Sequence, residues 1–296
     1  MPLVLLVGLA GCSGSNAGSE PSAESPSAST SPSAGTSASA GTTDDLGTLF
    51  EAALKPLVDQ HVIDFKHDVF SGQALAVETK GRAFQQAGWQ ATTTSPKVLG
   101  SPDAPSGDDI KGEMQVRAVG DDLFMQLSTW QKPLAGCWLR TNRGQVPGGQ
   151  LAMTQGVPGY VTLLGALQPQ AVISQDGART VIGADVPLRV GLQLLTTGVL
   201  GLLQLQANQL DGATVPIGVR LTDGVLTDVE LHGDDLVSAV RAAGGDVSAD
   251  GEATLSQLRI EVSYKAGPAD APLVAAPADG LVMTNADVQA NRGCTG

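Results

Sequence analysis

Over residues 44–60 the chain reads DDLGTLFEAALKPLVDQ, and Leu46, Leu49, Phe50, Ala53, Leu54, Leu57 and Val58 recur at helical spacing. Thr43 or Asp44 can cap the start, and the acidic first turn suits the positive end of the helix dipole. The pattern then shifts to a period of two. Residues 73–84 alternate at Leu75 and Val77, and residues 113–119 at Met114, Val116 and Ala118. Gly120-Asp121-Asp122 turns the chain, and residues 123–127 return with Leu123, Met125 and Leu127 on one side, which predicts a hairpin. A short strand is expected at 137–140. A helix is expected at 158–167, with Pro158 near its first turn and Leu163, Leu164 and Leu167 on one face.

In the second half, alternation at Val186, Leu188, Val190, Leu192 and Leu194 predicts a strand over 178–194. Residues 195–208 change to helical spacing at Leu195, Val199, Leu200 and Leu203. A strong hairpin is expected at 215–231 about Asp223-Gly224, with a short helix at Leu236–Val240. A last strand is expected at 253–265, and a Pro- and Ala-rich tail from Pro268. Many antiparallel strands with a few amphipathic helices among them make an α+β fold.

The first 43 residues follow a different pattern. Leu3-Val4-Leu5-Leu6-Val7-Gly8 is far too short to span a bilayer, which needs about 20 residues, and has the length of a signal-peptide core. It ends in Leu9-Ala10-Gly11-Cys12, the pattern of a bacterial lipobox. Residues 1–11 are therefore expected to be a signal peptide, and Cys12 the lipid attachment site and new N-terminus. No Lys or Arg precedes the run, so a start codon upstream of Met1 is expected. Residues 12–43 are dominated by Ser, Ala, Gly, Pro and Thr and cannot bury a core; a disordered, lipid-anchored tether is expected there. Residues 44–296 then form one domain.

Charge narrows the partners. A net charge of −13 argues against nucleic acid and against flat adsorption on an anionic membrane. Attachment to the membrane should come from the acyl chains on Cys12, each buried CH₂ adding about 0.8 kcal/mol. The expected location is the outer face of the cell membrane.

The chemistry of catalysis is missing. His61, His67 and His232 are scattered, and there is no zincin spacing, nucleophile elbow, P-loop or Cys-x-x-Cys. The triplet Gly-Asp-Asp recurs at 107–109, 120–122 and 233–235, which is read as turn and helix-start chemistry rather than as metal ligands. No enzyme, cofactor or metal is expected.

The order of these features carries a resemblance. A lipobox, a Ser/Pro-rich tether, DDLGTLFEAALKPLV, the hairpin GEMQVRAVGDDLFMQL, GCWLRT, a Leu-rich segment, VPIGVRLTDGVLTDVEL and a closing strand leading to PLVAAPADGLV follow one another. Over about residues 44–283 this resembles the actinobacterial LppX/LprG lipoproteins, relatives in fold of the LolA/LolB carriers. The resemblance implies a curved antiparallel half-open β-barrel with helices across its concave side, around an apolar cavity that binds lipids or acylated glycolipids. Its lining would draw on Phe50, Leu54, Met114, Val116, Met125, Leu163, Leu164, Leu167, Leu195, Val199, Leu200 and Leu203. The insertion 95–112 and two further cysteines depart from the family pattern.

The expected function is that of a monomeric cell-envelope lipoprotein that binds or shuttles a lipid or lipoglycan by its acyl chains. The alternative is a surface interaction or scaffold lipoprotein with a filled core and no lipid cargo. With Cys12 acylated, Cys137 and Cys294 remain, and in an oxidising compartment they are expected to pair. The other reading is a buried free thiol at Cys137 and a loose one in the tail.

Overall fold

A computed structural model describes residues 43–84, 88–95, 112–142, 159–195, 203–205, 209–210 and 212–295. The chain starts with helix α1 (Thr43–Val58) and runs through strands β1 (Val62–Ser71), β2 (Ala74–Phe84), β3 (Gly88–Ser95), β4 (Gly112–Val119), β5 (Asp122–Leu127) and β6 (Trp138–Asn142). Helix α2 (Gly159–Ala166) leads to β7 (Gln168–Asp176) and β8 (Arg179–Pro187). A single helical turn, α3 (Leu188–Gly191), continues as a 3-10 turn over Leu192–Leu194. After β9 (Leu203–Gln204) come β10 (Thr214–Thr222), β11 (Val225–His232), α4 (Gly233–Ala242), β12 (Asp246–Val247), α5 (Ala249–Leu255) and β13 (Leu258–Ala266). The chain closes with β14 (Val282–Met283) and α6 (Asn285–Gln289).

Twelve of the described strands form one sheet in the order β14-β6-β5-β4-β3-β2-β1-β13-β11-β10-β8-β7, while β9 and β12 pair separately. Every neighbour pair in the large sheet is antiparallel except β14 with β6. The sheet is curved but stays open, with β14 and β7 as its edges, and does not close into a barrel.

The two faces follow from the register. Residues directly opposite one another across an antiparallel pair share a face. Ile63, Phe65, His67 and Val69 of β1 stand beside Ala83, Gly81, Thr79 and Val77 of β2, and beside Ala266, Tyr264, Val262 and Ile260 of β13. That inner face builds the core together with the helices. Helix α1 lays Leu46, Phe50, Ala53 and Leu57 on it, touching β7, β11 and β13, while α4 packs Leu236, Val237 and Val240 over β10, β11 and β13. Leu49 and Val58, placed on the same helical face by spacing, are 41% and 53% exposed: the buried stripe is narrower than the apolar pattern.

The outer face is polar over most of its area. Asp64 stands beside Arg82 and Lys265, and Asp68 beside Glu78 and Glu261. Ion pairs lace it: Lys66 with Asp68 and Glu78, Arg82 with Asp64, Arg220 with Asp228 and Glu230, and Arg259 with Glu261. Lys66 is held above its ordinary pKa, first by its hydrogen bond to Asp68. Such half-exposed pairs contribute little each, and their arrangement matters more for keeping this face solvated.

Several expected elements came out differently. The strand expected over 178–194 ends at Pro187, and Leu188–Leu194 is helical instead. Leu188, Val190, Leu192 and Leu194 are all buried while Arg189 is exposed and Gln193 half-buried, so helical turns here reproduce the alternation that reads as a strand. Of the helix expected over 195–208, Leu203–Gln204 is a strand paired with β12, and most of the remainder lies outside the described residues. The strand expected at 253–265 starts at Leu258. Residues before it form α5, whose start is fixed by the Ser248 hydroxyl accepting from the Gly251 N–H at 3.1 Å. Strands β1, β3 and β7 have no counterpart among the expected ones. β1 carries a histidine on its inner face, β3 is rich in Thr, and β7 is an exposed edge with little apolar alternation. The short strands β12 and β14 had no expected counterpart either, while β2, β4, β5, β6, β8, both hairpins and the first two helices lie close to where the pattern puts them.

The tail from Pro268 is ordered as a strap. Val274 packs on Val62 and Phe84 of the outer face, and β14 adds to the sheet beside β6. Thr284 and Asp287 form a capping box at the start of α6. The strap ends at a Cys137–Cys294 disulfide, with the two Cα atoms 5.7 Å apart. Among the described residues no helix is long and apolar enough to cross a membrane.

Candidate functional site

The inner face divides into two halves. Over β13, β11, β10, β8 and β7 the helices α1, α2, α3 and α4 pack on the sheet; the inner side chains of β13, β11, β10 and β8 are buried, while those of the edge strand β7 stay exposed. Over β2 to β6 the main helix contact among the described residues is that of α6 with β6, and Ala83, Trp89, Ala91, Val116, Ala118 and Leu123 are buried in the core. On this side Val77, Met114, Met125, Leu127 and Leu139 are only half-buried, and the register sets Met114 beside Leu127 and Met125 beside both Val116 and Leu139. Thr79 and Thr93 join across the same surface by a 2.9 Å hydroxyl hydrogen bond.

The cavity residues expected from the sequence fall into three groups. Phe50, Val116, Leu163, Leu164, Leu167 and Leu195 are buried in the one large core cluster. Leu54, Met114, Met125 and Leu203 pack against that cluster while keeping part of their surface open. Val199 and Leu200 lie outside the described residues, as do Cys12, the signal segment, the tether up to residue 42 and most of the insertion 95–112. Ten positions scattered over five elements, the α2–β7 junction and the turn after α3 thus meet in or against a single apolar core.

Two polar groups lie buried on this inner surface without a hydrogen-bond partner: Nε2 of His67 and the indole N–H of Trp89. Burial pushes the His67 pKa down to about 4, against the opposing pull of the Asp68 charge and of a hydrogen bond to the Leu194 carbonyl. At neutral pH the imidazole is uncharged, as its apolar surroundings require. His232 is on the opposite face, 3.1 Å from Glu230, so the histidines do not converge. No group of three or more metal-type side chains gathers among the described residues. Gly120-Asp121-Asp122 is the β4–β5 turn, with Gly120 at φ 58°, and Gly233-Asp234-Asp235 is the first turn of α4.

A second concavity was not foreseen. On the outer face of β2, β3 and β4 lies a cleft of about 530 Å³ lined by Asp64, Lys80, Arg82, Gln90, Thr92, Gln115, Arg117 and Trp138. The register sets Arg82, Gln90 and Arg117 abreast, and Lys80, Thr92 and Gln115 abreast in the next row. Its sequence signal is the polar half of the same alternation that revealed the apolar half. What the sequence does not carry is the pairing that collects these residues.

No family profile matches the chain, and no curated protein matches it significantly. Among solved structures it is similar to the Mycobacterium tuberculosis lipoprotein LppX, with 13% identity and a TM-score of 0.39, over 78% of this chain and 99% of that one. It is also similar to LprF from Mycobacterium bovis, with 10% identity and a TM-score of 0.40, over 78% of this chain and 97% of that one. Likenesses of this size do not transfer either protein's role to this chain.

Proposed function

We propose that the chain is a lipid-anchored, monomeric protein of the cell envelope that holds a lipid or acylated glycolipid against the inner face of its sheet, arranged as a half-open barrel with helices on the concave side. The observation that carries this reading is the half-covered inner face: Val77, Met114, Met125, Leu127 and Leu139 form a half-buried apolar surface continuous with the core. An acyl chain laid there gains about 25 cal/mol per Å² of apolar area removed from water, before association costs. The binding needs no cofactor and no covalent step. The lipobox ending at Cys12 and the tether to residue 43 support attachment to the outer face of the membrane.

Full burial of Phe50, Val116, Leu163, Leu164 and Leu195 favours the second reading, a scaffold lipoprotein with a filled core. Native mass spectrometry of the exported Cys12→Ala chain, followed by solvent extraction, separates the two. A bound, extractable acylated molecule is expected. A chain that carries none from any actinobacterial host overturns the lipid reading and leaves the scaffold.

A further inference from the structure

The outer-face cleft lies on the opposite side of the sheet from the surface just discussed, and its chemistry is different. We propose that it binds a polyhydroxylated ligand bearing an oxyanion, of the sugar-phosphate class. The proposal is independent of the lipid reading.

Charge is the first argument. The whole chain carries a net charge of −13, yet the cleft is lined by three cations, Lys80, Arg82 and Arg117, and by one carboxylate, Asp64. Asp64 is already taken by Arg82, in bonds of 2.6 and 3.2 Å. Lys80 bonds Glu78 at 2.7 Å, but Glu78 is shared with Lys66 at 3.3 Å. Arg117 pairs with no carboxylate among the described residues. Its guanidinium stands 4.6 Å over the Trp138 ring and donates to the Ala275 carbonyl of the strap at 3.3 Å. A guanidinium has five N–H donors in a fixed fork, so a stacked and positioned Arg117 keeps donors for an oxyanion. In a molecule that is negative elsewhere, a concave basic site concentrates the field that attracts an anion.

The second argument is the neutral lining. Gln90, Thr92 and Gln115 project from one face of adjacent strands, with Gln90 between Arg82 and Arg117 and Thr92 between Lys80 and Gln115. Each amide both donates and accepts, as vicinal hydroxyls do. Two rows on one sheet face are spaced by two residues of strand, about 7 Å, which suits a sugar ring with a phosphate at one end. A cleft of about 530 Å³ lies within the range of small-ligand sites. The strap reaches the site through the Ala275 carbonyl that accepts from Arg117, so the Cys137–Cys294 bridge that ties the strap down also bears on how Arg117 is held.

The test is a titration of the full Cys12→Ala chain, labelled with nitrogen-15 and held at low ionic strength. Glucose 6-phosphate, glucose and inorganic phosphate are added separately, and phosphatidylglycerol and phosphatidylcholine vesicles are used in flotation. Saturable shifts at Gln90, Thr92 and Gln115 are expected with glucose 6-phosphate, at least tenfold tighter than with glucose or phosphate alone. Lys80→Gln, at an exposed position, and Arg117→Gln are each expected to weaken binding at least fivefold. Binding of glucose 6-phosphate without vesicle capture supports the site with a soluble ligand. Capture of phosphatidylglycerol but not phosphatidylcholine vesicles, lost in the same variants, supports it with a lipid head group as the source. No saturable shift and no capture, or binding that Lys80→Gln leaves unchanged, overturns the proposal.

Discussion

The ring of Phe65 occupies the space over Gly81 on the neighbouring strand: a Cβ at Gly81 would fall 2.1 Å from Cζ of Phe65 and 2.5 Å from the Gln90 carbonyl oxygen. The pair is directly opposed in the β1–β2 register, and Phe65 is buried in the core. Gly81→Ala should therefore destabilise the fold by about 1–3 kcal/mol, because ring and backbone must both give way. Urea unfolding checks this. In the Phe65→Ala background the cost of Gly81→Ala should shrink but not vanish, since the Gln90 carbonyl remains; equal costs in both backgrounds would show that the ring is irrelevant.

The disulfide closes a loop with a sequence separation of 157, for which the chain-entropy model gives roughly 5 kcal/mol as an upper figure. Its local effect should be the clearer one. Cys294→Ser is expected to loosen β14 and α6 while the main sheet stays folded, raising hydrogen exchange over 268–295 well before the strands exchange. Unchanged protection of that segment in the variant would mean that Val274 and the β14–β6 pairing hold the strap unaided.

His67 gives a pH dependence of defined sign. Its folded pKa of about 4 lies below the unfolded value of 6.5, so above pH 6.5 both states are neutral and nothing is lost. As pH falls from 6.5 toward 4 the unfolded state takes up a proton that the folded state refuses, and stability drops by about 2 kcal/mol by pH 5. Chemical unfolding at pH 7 and pH 5 should show that difference in the wild type. The His67→Gln chain should lack it, and identical pH slopes for the two would refute the assignment.

Cys12→Ala should move the protein from the detergent phase of a partition assay into the aqueous phase. The lipobox Leu9-Ala10-Gly11-Cys12 motivates this. A variant as membrane-bound as wild type would place the anchor elsewhere.

Met125→Asp puts a charge on the half-buried inner surface between Val116 and Leu139. The exposed side of that position should let the chain fold, and co-purified lipid should fall severalfold in extracts. Lipid retained at wild-type level by a folded Met125→Asp chain would count against the inner face as the binding surface.

The sequence by itself determined the elements whose two sides meet different surroundings. Helix α1 and the β4–β5 and β10–β11 hairpins were legible because one side faces the core and the other faces water, which writes a period into the residues. The cysteine pairing was legible by elimination. The tertiary structure alone decided what happens where that contrast fades. Leu188–Leu195 is mostly buried, with Arg189 exposed and Gln193 half-buried, so its alternation was no guide to its helical turns, and β7, exposed along its length, had no apolar stripe to reveal it. The same limit governs the two candidate surfaces. The apolar and polar halves of β2, β3 and β4 are written in each strand, but which residues stand abreast is set by hydrogen bonds between strands distant in sequence. Thus the convergence of Lys80, Arg82, Gln90, Thr92, Gln115 and Arg117 on one cleft became visible only once the register was known. So did the separation of a covered from a half-covered inner face, because it depends on where the helices come to rest on the sheet.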